Sequence, residues 1–115
     1  MQIDTSKIVI ALKGEPKNLH ESVKWHRLAA EQGHASAQFM LAVKYRFGAG
    51  VVQDYVQAHM WANLAAASRS TNSEGQSTAI ELRDAVAQEM TPAQIGKAQD
   101  LAREYSAQHP DEGTF

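Results

Sequence analysis

The sequence predicts an all-α protein, a short right-handed α-α superhelix built from stacked helix pairs. Three observations carry this expectation. The pattern W-x-x-L-A-A occurs twice, as Trp25 to Ala30 and Trp61 to Ala66, at an offset of 36 residues. The same offset pairs Gly14 with Gly50, Asn18 with Asp54, Leu19 with Tyr55 and Ser22 with Ala58, so turn glycine, cap and helix recur in one register. Finally, Ala is the commonest residue, 19 of 115, while aromatics make up only 7%. Small side chains of this kind let helices pack closely.

Residues 1–33 read as a degenerate first repeat. On the 36-residue offset Met1 falls level with Ala37, so this unit begins inside its own first helix, with Thr5 where Leu41 stands and Val9 where Tyr45 stands. The β-branched run Ile8-Val9-Ile10 is a poor helix former. The unit is either a clipped repeat or a remodelled segment, giving six helices at most and five if residues 1–13 are not helical. Gly33 suits the position just past the C-terminus of the helix that carries Trp25.

Residues 34–70 form the complete repeat. Its first helix is expected from Ala35 to Phe47. Gly48 and Gly50 then supply the positive φ of a tight turn, and Asp54 caps a second helix reaching about Ser68. On that helix Ala58, Trp61, Leu64 and Ala65 share one face.

Residues 71–108 read as a C-terminal helix pair that caps the stack. After the polar break at Ser70 to Ser73 and Gly75, an apolar stripe runs through Ala79, Leu82, Val86 and Met90. Thr91-Pro92-Ala93-Gln94 has the two ends of a capping box, with Pro at the first helical position. The last helix shows Ile95, Ala98, Leu101, Ala102 and Tyr105 on one side, and residues 109–115 read as a tail.

Gly33, Ala37, Leu41, Tyr45, Gly48, Gly50, Val51, Asp54, Ala58, Trp61, Ala65 and Ala66 together resemble the Sel-one-like repeat, a relative of the tetratricopeptide repeat. The segments from Met90 to Ile95 and Ala102 to Glu104 are similar to the closing helix that often follows such arrays in bacterial proteins. Two departures stand out. Ala42 replaces the Gly that lets helices approach, and Arg69 replaces the Gly that would continue the array. The resemblance implies a helical repeat solenoid and a non-catalytic scaffold or protein–protein interaction module. Some relatives have been linked to β-lactam hydrolysis, but those resemble disulfide-rich chains, and this one has no Cys.

Composition excludes several classes of function. Without Cys there is no disulfide framework, zinc ribbon or thiolate nucleophile. A net charge of −2 lacks the basic stripe that nucleic-acid binding requires, and Lys44 and Arg46 point about 160° apart on a helix. The longest apolar run, Ile8 to Leu12, is about a quarter of a membrane span. Asp4 stands where a signal peptide would be basic, so a cytoplasmic protein is expected. No metal or cofactor site is expected. None of His20, His26, His34, His59 and His109 has metal-ligand spacing with another, and His59, level with Val23, reads as a packing residue. Gly48-Ala49-Gly50 follows a helix rather than a strand and lacks the third Gly of a dinucleotide fingerprint. Glu81, Asp84 and Glu89 read as a solvated face paired with residues such as Arg83. The two Trp residues, placed once per unit, are expected to be structural anchors.

The helix from Ala35 to Phe47 has two apolar sectors. Ala37, Leu41 and Tyr45 match the core positions of the repeat. Phe39, Met40, Val43 and Phe47 gather in the other sector. In the tetratricopeptide class the first helix of each unit lines a concave groove, and the matching positions here are Ser36, Phe39, Val43, Arg46 and Phe47. These are the expected partner-binding residues for a protein or peptide, with Arg46 selecting charge. The competing expectation is that neighbouring helices or a second copy of the chain, as a homodimer, cover this patch. A small hydrolase is the remaining alternative. It requires two or more of His26, His34, His59 and Glu31 to lie within hydrogen-bond reach in one cleft.

Overall fold

The computed structural model describes residues 19–109. Over that range the chain is five α-helices: α1 Leu19–Glu31, α2 Ala35–Phe47, α3 Tyr55–Ala67, α4 Ser73–Ala87 and α5 Pro92–Gln108. No strand occurs among the described residues. Residues 1–13, whose helical or non-helical state the sequence leaves open, and most of the tail over 109–115 lie outside them.

The helix boundaries follow from local chemistry. α1 ends in a Schellman motif: Gly33 takes φ 88°, its N–H donates to the Ala30 carbonyl at 3.0 Å, and the His34 N–H donates to the Ala29 carbonyl at 3.2 Å. α2 also ends at a left-handed glycine, Gly48, φ 68°, where the Gly48 and Ala49 N–H groups both donate to the Lys44 carbonyl. Gly50, φ 83°, has a second reason to be glycine, because a Cβ there would stand 2.7 Å from the Leu19 carbonyl oxygen. The α2–α3 turn therefore sits directly on the start of α1. The Asp54 side chain caps α3 by accepting from the Gln57 N–H at 3.1 Å, and Asn72 does the same for α4 through Gly75. The capping box of α5 is complete. The Gln94 N–H donates to Thr91 Oγ1, and the Thr91 N–H donates to Gln94 Oε1. Gly75, expected in the polar break, instead lies in the first turn of α4.

The two equivalent inter-repeat loops are tied to each other. Ser68 and Ser70, after α3, both donate from their hydroxyls to the Gly33 carbonyl, after α1. Ser70 Oγ also accepts from the Ala35 N–H at 2.8 Å. That bond supplies the cap that the His34 side chain does not make for α2. One loop thus completes the helix start of the other.

α3 is the centre of the molecule and packs against α2, α4 and α5, while α2 also packs against α1 and touches α4. The core runs through Leu41, Val43, Trp61, Leu64, Leu82 and Val86. Alanines at the crossings, among them Ala30, Ala42, Ala58, Ala62 and Ala98, are fully buried. They let the helix axes approach closely. Ala42 is accommodated where the repeat pattern has Gly. The Trp61 ring meets Tyr105 edge to face at 5.4 Å, and the Tyr105 hydroxyl donates to the Glu31 carbonyl at 3.0 Å. α5 thereby links the second repeat to the end of α1.

Candidate interaction surfaces

α2 is apolar on nearly all sides, and a helix of that kind is expected to be enclosed. The structure encloses it. Phe39 and Val43 are buried in the core, which corrects the expectation that they form the open centre of a partner-binding patch. The physical cause is that α1, α3 and α4 together leave the middle of α2 without a free side.

The two ends of the expected stripe remain accessible. Ser36 is exposed, and Arg46 and Phe47 are half-buried. At the N-terminal end a cleft of about 270 Å³ opens between the first turns of α2 and α4. Ser36, Ser70, Thr71 and Asn72 line it, with Phe39 and Ala79 as its apolar part. At the other end the Arg46 guanidinium lies over the Phe47 ring, 4.9 Å from its centroid. Arg46 therefore keeps its charge at the surface while shielding the ring.

A buried lysine is a feature absent from the sequence expectations. Lys44 is fully buried and its Nζ has no hydrogen-bond partner. Burial pushes its ammonium below the ordinary lysine value. The signal was present in the sequence: a lysine on a helix with two apolar sectors has no polar face to occupy. Its charge also acts on His26, whose pKa is lowered first by burial and then by Lys44. His26 shares a hydrogen bond of 3.3 Å with Ser22. His59 is buried on α3 as the packing reading expects, with Nδ1 unpartnered. Burial lowers its pKa, Arg83 adds to the effect and Asp84 opposes it. Arg83 pairs with Asp84 at 3.2 Å and donates to Asn63 Oδ1 at 3.1 Å. Among the described residues no three His, Asp or Glu side chains stand together as metal ligands. No helix there is long and apolar enough to cross a membrane.

Trp25 departs from the anchor role expected of it. Trp61 is 3% exposed, but Trp25 is 63% exposed. Leu64 is 1% exposed, but its equivalent Leu28 is 47% exposed. The cause is the covering layer. α5 lies across α3, whereas among the described residues α1 has α2 packed along its length, the Gly50 turn at its start and the Tyr105 hydroxyl at its end. Trp25 and Leu28 are one helical turn apart and form an apolar patch at the surface.

Comparison with known proteins places this architecture. Residues 10–34 and 35–70, together over half of the chain, match the Sel1 repeat. The fold is similar to the crystal structure of a protective antigen present in uropathogenic Escherichia coli strains and described as displaying an SLR fold. The TM-score is 0.74 and the sequence identity 31%, over 84% of this chain and 20% of that one. The chain thus spans about a fifth of the length of that protein. No curated protein matches the chain.

Proposed function

The chain belongs to the Sel1 repeat family, and from that premise we propose that it is a non-catalytic protein-interaction module that takes a short peptide segment in the cleft between α2 and α4. The observation that carries this reading is the composition of the cleft. Its apolar part, Phe39 and Ala79, belongs to the helix packing and is held in place, while Ser36, Thr71 and Asn72 give it a polar rim. A preformed pocket with an apolar floor and a few directed polar groups suits one anchoring side chain and its flanking backbone. Arg46 and Phe47, at the far end of α2, supply a second contact for a longer partner.

Peptide-display selection against the full chain tests this. Enriched peptides should bind the wild-type protein and lose at least about tenfold in affinity for Ser36→Tyr, which fills the cleft from an exposed position. Enriched peptides indifferent to Ser36→Tyr would place the interaction elsewhere on the surface.

A further inference from the structure

The exposed side of α1 is patterned as well as apolar. Of the large hydrophobic residues exposed among the described ones, two of three are Trp25 and Leu28, the third being Val52. With Glu21 and Gln32 they fall at spacings of four, three and four, the seam of a two-helix coiled coil. Lys24 and Glu31, both exposed, flank one side of that seam a heptad apart. Ser22 and Ala29, on the other flank, are small and half-buried.

We propose that this face is an isologous interface, on which α1 of a second copy of the chain packs antiparallel to the first. A two-fold axis crossing the seam between Trp25 and Leu28 sets each Trp25 against the partner copy's Leu28 and each Glu21 against its Gln32. On the flank, Lys24 of each copy then faces Glu31 of the other, so both ion pairs close at once. An isologous contact requires a surface complementary to itself. Opposite charges spaced evenly about an apolar centre meet that requirement. A parallel pairing would instead set Glu21 against the other copy's Glu21 and leave Lys24 and Glu31 facing the small Ser22 and Ala29 flank. The chain's own packing supplies the template: on α3 the equivalent Trp61 is covered by Tyr105 of α5. The Ser36 cleft lies away from this seam on other helices, so the two proposals fail independently.

Sedimentation velocity of the full chain over a concentration series tests the pairing. The wild-type protein should show a monomer–dimer equilibrium. Lys24→Glu and Glu31→Lys should each weaken it about tenfold by juxtaposing like charges twice, and the double variant should restore it. Trp25→Ala should weaken it by at least about a hundredfold, as removal of a central anchor does. Ser36→Tyr should leave it unchanged. A wild-type chain that stays monomeric overturns the proposal. In that case quenching of Trp25 emission assigns the face: protection to the chain's own N-terminal residues, accessibility to another protein. Failure of the double variant to rescue overturns the antiparallel register.

Discussion

α1 and α3 carry the same motif in the same register, yet one is a surface helix and the other is the centre of the molecule. Trp61, Leu64 and Ala65 are buried on α3, whereas Trp25 and Leu28 are exposed on α1 and Ala29 is half-buried. The residues are the same, so the difference comes from the neighbours. Among the described residues α3 packs against three helices, whereas α1 packs chiefly against α2. A repeat residue encodes a capacity to be buried, and its position in the stack decides whether that capacity is used.

The sharpest way to break this comparison is to delete both indoles. Trp61→Ala should destabilise the chain by about 3–5 kcal/mol, a large part of what a domain of this size possesses. Trp25→Ala should change monomer stability by no more than about 0.5 kcal/mol. Chemical denaturation at dilute concentration measures both, and equal losses would put the two helices in the same environment.

A smaller effect is expected where α1 is seated. Gly50→Ala forces a Cβ toward the Leu19 carbonyl at a residue with φ 83°, and should cost about 1–3 kcal/mol. Hydrogen exchange should show the loss concentrated in the first turns of α1, leaving α3 protected. Uniform loss across the chain would mean that α1 is not separately seated.

Acid should produce the smallest effect, and it should distinguish the helices by burial. His26 on α1 and His59 on α3 both have folded pKa values below 6.5, so the unfolded chain binds more protons as pH falls below about 6.5. Stability from both groups is fully present above that pH and declines as pH falls toward their folded values. Because His59 is buried and His26 only half-buried, His59→Gln should remove more of the acid-induced loss between pH 7 and 5 than His26→Gln. Thermal melts across that range provide the measurement.

Much of the architecture was legible in the residues. The 36-residue offset, the glycines at 33, 48 and 50, the Asp54 cap and the Thr91 capping box are local devices, and each works as its chemistry requires. The site was less legible, because burial depends on neighbours that no local pattern names. The second apolar sector of α2 read equally well as a groove or as a core face. The structure makes Phe39 and Val43 core, and leaves Ser36, Arg46 and Phe47 at the ends. Trp25 misled for the same reason, since its equivalence to Trp61 holds in register but not in packing. For Lys44 it is the place between two apolar sectors, rather than its direction relative to Arg46, that implies burial.

The contrast between α1 and α3 is tested most directly by acrylamide quenching of tryptophan fluorescence in dilute wild-type protein and in Trp25→Phe, which keeps Trp61 alone. The account predicts a readily quenched, red-shifted component that disappears in Trp25→Phe, leaving blue-shifted emission that resists the quencher. Wild-type emission that is already blue-shifted and uniformly protected would contradict it, because Trp25 would then be as enclosed as Trp61.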